Sequence, residues 1–564
     1  MPQTPIKRGA HPHAVTVLLS IALAAPSIAA AQTAPDAGTI LQEVRPVTPP
    51  PPSPADPGLT IEQNPASASA DTTPIAVSRI NIVGAALIDT ARLHALVADA
   101  EGQSVTFAQL GALADRITAY YREQGYTLAK AILPPQEIRG GVVTIEVIEA
   151  RYGAVTLDNE SRVSEGLLRS TIAPLRSGDA VYQPTLDRSL LLASDIPGVI
   201  VGATLRPGAS VGASDLAIDV VAGRSVTGSA MIDSYGNEFT GRARLSGTVN
   251  FINPLRHGDV LSLGGLTSGD GLNYARIGYE IVLNGAGSRA GASYSALRYE
   301  LGGSLEPLDA HGEARVASTW LSHPFVRSRT FNLYGHVQYD QLDLQDRIEI
   351  GAIHNDRGLD DWTISLDGDA RDRVLSGGVT TWSIGWTRGR VSFDDTAAAA
   401  IDAATARTAG AFSKWSASLS RLQRLGPQSA LFLAATAQWA DSNLDSAEKM
   451  VVGGPYSVRA YDVGAMSGDS VYQGTLELRH ALGAWNGDWQ VTTFVDSAHV
   501  TVNETPWVAG ANTATLTGAG VALNWAAPRG VNVRTYVAAR IGDAPQQLSD
   551  AASSRAGIAV SMAF

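Results

Sequence analysis

The chain has 564 residues, enough for about three to four domains at roughly 150 residues each. It carries 42 basic and 54 acidic residues for a net charge of −12, only 17% charged residues, 56 glycines and no cysteine. This balance excludes disulfide scaffolds, thiolate metal sites and cysteine nucleophiles, and a net-negative chain with four lysines (Lys7, Lys130, Lys414, Lys449) is a poor match for nucleic acid.

Residues 1–31 read as an export signal. Lys7 and Arg8 precede an apolar run from Ala14 to Ala25, and Ala29-Ala30-Ala31 is a small-residue cleavage site. No later stretch is apolar for 18 residues, so a membrane span would have to be made of strands. Residues 32–74 follow as a tether. Asp36 to Arg45 predicts two helical turns with Ile40, Leu41 and Val44 on one side, a candidate plug helix. Pro46, Pro49 to Pro52, Pro54 and Pro57 then impose an extended spacer.

Two small α/β units are expected over 75–149 and 150–224. The first reads as a strand through Ile80 and Ile82, a helix from Asp89 to Ala100, and a second helix from Phe107 to Gln124. A strand from Tyr126 to Leu133 and another from Val142 to Ile148 close it. The second repeats this order, with strands at Tyr152–Leu157, Ile200–Leu205 and Asp215–Val221 and helices at Glu165–Ala173 and Thr185–Ser194. A three-stranded sheet of this kind leaves an edge free to pair with an incoming strand.

From 225 to 564 the period becomes two. Trp362, Ile364 and Leu366 alternate with Asp361, Thr363 and Ser365, and Leu431, Leu433, Ala435, Ala437 and Trp439 make one face of another segment. Segments of about ten residues without an intervening helix, with Tyr294, Trp320, Trp382, Trp439, Trp489 and Trp525 among them, predict a transmembrane barrel. Roughly 340 residues at about 21 per strand and turn make about sixteen antiparallel strands around a water-filled lumen.

Particular motifs carry a family resemblance. Gly125-Tyr126, then Pro134-Pro135-Gln136, then Val147-Ile148-Glu149 resemble the first POTRA repeat of two-partner secretion transporters, the ShlB/FhaC/HecB haemolysin secretion and activation proteins. Val458-Arg459-Ala460-Tyr461 resembles that family's tip of the long sixth extracellular loop, with Ala460 where the family has glycine. Phe494-Val495-Asp496 resembles the strand motif facing it, with Ala498 in place of a second glycine. The terminal Phe564, after alternating residues, resembles the insertion signal read by the barrel-assembly machinery. The resemblance implies an outer-membrane pore of a Gram-negative bacterium, working as a single chain with its POTRA units in the periplasm. Its implied partners are membrane lipid and an unfolded exoprotein with an N-terminal secretion domain, such as a haemolysin or adhesin. The alternative is a barrel-assembly factor of the same superfamily.

The residues make the same pairing physically plain. Alternation turns Trp489, Val491, Thr493 and Val495 to lipid and Gln490, Thr492 and Asp496 to the lumen. Residues 442–470 form a long glycine-bearing connection, a length that calls for a function. Folded inward, it brings Arg459 to Asp496 in a charge-assisted contact, with Glu477 as a competing partner. No catalytic constellation appears: Gly208-Ala209-Ser210-Val211-Gly212 lacks the following helix of a nucleophile elbow, there is no phosphate-binding loop, and the ten histidines show no metal spacing. The expectation is a transport protein with no enzyme activity, cofactor or metal.

Overall fold

The computed structural model describes residues 34–44, 59–61, 73–548 and 551–564. The expected export signal and the proline run lie outside them.

The chain begins with helix α1 (Ala37–Val44), then a short strand β1 (Leu59–Ile61). The first unit contains β2 (Arg79–Val83), α2 (Thr90–Ala95), α3 (Phe107–Glu123), β3 (Lys130–Ile132) and β4 (Val142–Ile148). Its sheet runs β2-β4-β3, with β2 parallel and β3 antiparallel to β4. Helix α3 starts with a capping box in which Thr106 and Gln109 satisfy each other's backbone, and it buries Leu110, Leu113, Ile117 and Tyr121 against the sheet. Two expectations are corrected here. Helix α2 stops at Ala95, and the expected continuation to Ala100 is a short 3-10 turn over Ala98–Ala100. The strand expected from Tyr126 shrinks to three residues, because Tyr126 and its neighbours turn towards the second unit instead.

That second unit comprises β5 (Arg151–Asn159), α4 (Glu165–Ile172), α5 (Gln183–Ser194), β6 (Val199–Pro207) and β7 (Ala213–Ala222). Its sheet has four strands rather than three, in the order β1-β6-β7-β5. The extra strand comes from the tether: Leu59, Thr60 and Ile61 pair in parallel with Ala203, Thr204 and Leu205. The chain itself therefore covers the β6 edge, and the edges of this sheet lie at β1 and β5. The Gly208–Gly212 motif is the exposed hairpin between β6 and β7.

Sixteen antiparallel strands then close into a barrel. They are β8 (Val226–Asp233), β9 (Arg244–Ile252), β10 (Val260–Thr267), β11 (Leu272–Val282), β12 (Arg289–Glu300), β13 (Ala310–Arg327), β14 (Phe331–Ile348) and β15 (Ile353–Asp372). The second half is β16 (Gly378–Phe393), β17 (Gly410–Arg424), β18 (Ser429–Ala440), β19 (Ser470–Ala484), β20 (Asp488–Thr501), β21 (Thr513–Ala526), β22 (Val531–Arg540) and β23 (Ser554–Ala563). The seam is made by Ser229–Asp233 against Ala559–Ala563. Outward positions are apolar and exposed, as with Ile232, Leu263, Ile277, Trp362, Ile364 and Val537, which suits lipid.

The uniform ten-residue segment is a further expectation that fails. Strands β13 to β16 run for 18, 18, 20 and 16 residues. At ~3.3 Å per residue they exceed what a ~30 Å hydrocarbon core requires even when tilted. Nor is the region free of helix, since α6 (Thr396–Ala404) sits in the loop after β16, capped by Asp395. An alanine-rich stretch has strong helix propensity and no alternating pattern to hold it in a strand.

Candidate functional site

The long connection, residues 441–469 between β18 and β19, folds into the barrel. Its tip residues Val458 and Tyr461 are buried, and so is Ala460. Arg459 donates from Nε to Asp496 Oδ2 and from Nη2 to Oδ1, both at 2.7 Å, while its backbone N–H donates to the same carboxylate at 3.2 Å. Its remaining Nη1 donates to Glu477 Oε1 at 2.8 Å. The expected competition between two carboxylates is resolved by geometry: a guanidinium has donors on two edges and uses both. Arg479 extends the chain of charges by donating to Glu477 Oε2 at 2.8 Å.

Phe494, two residues from Asp496, shares its inward face, and its ring lies 3.4 Å below the Arg459 Cζ. Arg479 stacks likewise on Phe432 at 4.3 Å. Both arginines are thus held by a carboxylate edge and an aromatic face. Beneath them lies a polar cavity of about 290 Å³ reaching Gln490, Asn524 and Arg534.

The alanine at the loop tip has a structural counterpart. A side chain at Gly518, on β21, would collide with the Ala460 methyl. The space a tip glycine would leave is thus filled by Ala460, and the barrel wall gives way with a glycine of its own. Ala498 is fully buried on β20, four residues inward-facing from Phe494.

Helix α1 lies inside the barrel, against β12, β13, β14 and the base of the long loop. An eight-residue helix is marginal alone in water, so its seat supplies its stability. Ala37, Ile40, Leu41 and Val44 pack on Leu297, Tyr299, Leu342, Leu344 and Leu359 of the inner wall. Ile40, Leu41 and Val44 each contribute about 1.5–3 kcal/mol by this burial. Gly38 approaches Ser446 and Ala447 so closely that a Cβ would not fit. Gln42 donates to the Ala447 carbonyl.

Polar contacts hold both ends of the helix, an ionic cluster at its start and an amide–carboxyl hydrogen bond at its end. At its start, fully buried Arg357 of β15 donates to Asp36 at 2.8 Å, to Asp346 of β14 at 2.5 Å and to Asp445 of the loop at 2.6 Å. Burial alone would raise the Asp36 carboxyl, but Arg357, Ser446 and Thr39 outweigh it and hold it below its ordinary value. At its end, Glu43 accepts from Asn237 at 2.9 Å. Burial pushes this carboxyl up to about 7. Arg244, the cation that acts to lower it, is committed to Asp233 at 2.9 Å.

The base of the loop is clamped by two lysines. Lys414 pairs with Glu448 at 2.8 Å and Lys449 with Asp469 at 2.7 Å. None of Arg357, Asp346, Asp445, Glu43, Asn237 or Gly518 was singled out from sequence, because the partners that give them meaning lie up to 321 positions away. Lys449 had a usable signal: it is one of only four lysines in the chain and falls inside the long loop.

The remaining expected residues fall elsewhere. Tyr126 packs edge-on to Tyr121 and at a tilt to Tyr182 at the junction of the two α/β units. Pro134 and Pro135 end β3, and the Gln136 amide pairs with both the N–H and the carbonyl of Thr144, each at 2.7 Å, taking the place of a neighbouring strand beside β4. Phe564 exchanges two backbone hydrogen bonds of 3.0 Å with Gly228 across the seam.

Comparison with known proteins agrees with this architecture. Residues 212–525 match the model of the haemolysin secretion/activation protein family ShlB/FhaC/HecB, and residues 75–150 match the ShlB-type POTRA domain. The heme/hemopexin transporter protein HuxB of Haemophilus influenzae is 29% identical over 383 residues, covering 68% of this chain and 67% of its own. The outer membrane transporter CdiB of Escherichia coli is 26% identical over 523 residues, 85% of each chain. The solved structure of Escherichia coli CdiB superposes with a TM-score of 0.70 at 21% identity, covering 89% of this chain and 93% of that one.

Proposed function

This chain belongs to the ShlB/FhaC/HecB haemolysin secretion/activation family, and from that premise we propose that helix α1 and the Arg459 loop are two separate closures of an export pore. The protein is an outer-membrane two-partner secretion transporter: its α/β units stand in the periplasm and receive an exoprotein, which the barrel passes to the cell surface. The observation that carries this is the transporter-family match over the second unit's end and most of the barrel. The assembly-factor alternative has no comparable support, since the curated relatives are named transporters.

In the proposed resting state α1 fills one side of the lumen and the loop the other. The exoprotein, lacking any nucleotide source in the periplasm, moves outward because it folds outside. It adds as an extended strand to a sheet edge of the α/β units. With β6 covered by Leu59–Ile61, the edge strands of the two units' main sheets among the described residues are β1, β2, β3 and β5. Arg459 and Asp496 gate the pore and catalyse nothing. Phe564 serves insertion by the barrel-assembly machinery, and one chain forms one pore.

The test is deletion of the gene followed by comparison of surface and released proteins. Loss of one exoprotein, with other outer-membrane proteins unchanged, is the expected result. Depletion of many outer-membrane barrels would favour assembly and overturn the export reading.

A further inference from the structure

Helix α5 touches both the first α/β unit and the barrel. At its N-terminal end, the Gln183 backbone N–H donates to the Gly125 carbonyl at 2.9 Å, and the Gln183 side chain accepts from Thr127 at 2.9 Å. The Tyr182 ring packs at a tilt against Tyr126 with centroids 5.4 Å apart. At its C-terminal end, Asp195 receives a bidentate pair from Arg327 at the end of β13: Nε to Oδ2 at 2.7 Å and Nη2 to Oδ1 at 2.8 Å. Arg329 adds a contact to Asp187 at 2.8 Å, and Arg188 donates to the Pro324 carbonyl at 2.9 Å.

Several features make this docking specific. Arg327 is buried and is itself oriented by Asn332, which in turn donates to Asp369. A planar fork held in this way accepts a carboxylate in one geometry only. The β13–β14 ladder slips register between Pro324 and Val326, next to the docking point. Bulges of this kind re-aim a strand end. Gly287, at φ +86°, admits Leu192 of α5 and Pro324 to a contact that a side chain would block.

We propose that α5 is a strut, with Asp195 and Arg327 as positioning residues that hold the first α/β unit at a fixed bearing over the pore so that a captured segment meets the lumen entrance. This rests on the export reading. The unit's own fold does not need the pair, because its core of α3 against β2, β4 and β3 is complete without it. What the pair supplies is direction: it adds a bidentate, single-geometry lock to the Arg329–Asp187 and Arg188–Pro324 contacts by which α5 meets the barrel rim.

The absence of cysteine makes the test clean. Nitroxides at Ala91→Cys and Leu375→Cys report the distance between the first unit and a periplasmic turn in the purified full chain. The expected result is one narrow distribution, which broadens in Asp195→Ala/Arg327→Ala while heat-modifiable barrel mobility is unchanged. Export of the surface protein lost on gene deletion should fall at least fivefold in that variant. In the second arm, Asp195→Cys/Arg327→Cys should export equally poorly until a short bis-maleimide bridges the thiols, and then return to within twofold of the unmodified chain. If the alanine variant does not reach the membrane, the cysteine pair, which removes the same charges, provides the comparison. A distribution that stays narrow, undiminished export, or a bridged chain that exports no better than the unbridged one overturns the strut. All these are ratios to the unmodified chain. An unmodified chain that exports nothing would instead sink the export reading.

Discussion

Arg357, inside the barrel wall, donates through Nη2 to Asp36 at the foot of helix α1, 2.8 Å away. The same guanidinium holds Asp346 of the wall and Asp445 of the long loop. One buried cation therefore joins the helix, the wall and the loop base, and the helix is the member attached by the fewest covalent constraints.

Removing Asp36 should loosen the helix and leave the other two pairs intact. A charge-assisted hydrogen bond contributes about 1.5–3 kcal/mol, which is roughly a tenfold to hundredfold shift in the ratio of closed to open pores. Asp36→Ala is expected to raise single-channel open probability in planar bilayers by that order. Arg357→Ala is a different experiment. It strands two buried carboxylates at a cost of about 3–5 kcal/mol, and reduced barrel stability should accompany its conductance.

Closure by α1 should depend on pH through Glu43. Its carboxyl has an ordinary value of 4.5, raised to about 7 in the seat by burial. The seated helix therefore binds the proton more tightly than the released one. Its hold is complete below 4.5, weakens about tenfold per pH unit as pH rises towards 7, and levels off above that. Conductance measured from pH 4 to pH 8 should rise across this window. Glu43→Gln should flatten the curve, and an equally steep curve in that variant would exclude Glu43 as the group responsible.

The two carboxylates around Arg459 should not be equivalent. Asp496 accepts three hydrogen bonds from that residue and Glu477 one. Asp496→Ala is expected to cost about 3–5 kcal/mol of loop anchoring, seen as proteolysis within residues 441–469 and loss of export. Glu477→Ala should be milder, because Arg459 keeps its bidentate partner and Phe494. The reverse order would mean that Glu477 is the principal anchor.

The contact between Ala460 and Gly518 predicts a compensating pair. Gly518→Ala overpacks the loop tip, at about 1–3 kcal/mol, and should lower the thermal midpoint of the barrel. Adding Ala460→Gly should recover most of the loss. A double-mutant cycle with no coupling would show that the two positions do not share one space.

The sequence by itself determined the barrel, the two α/β units and the family. Each rests on a local pattern: period-two alternation over lipid-crossing strands, period-3.6 stripes on α3 and α5, and short motifs around Tyr126, Arg459 and Asp496. It also brought Arg459 to the right wall, because alternation on β20 decides which side chains face the lumen. The tertiary structure alone decided what fills the barrel. That Asp36 meets Arg357, that Glu43 meets Asn237, that Leu59–Ile61 covers the β6 edge and that Ala460 sits opposite Gly518 depend on barrel curvature and on where a tether ends. Contacts between residues hundreds of positions apart leave no periodic trace in the chain, since their free energy comes from shape and charge assembled only after the strands have closed.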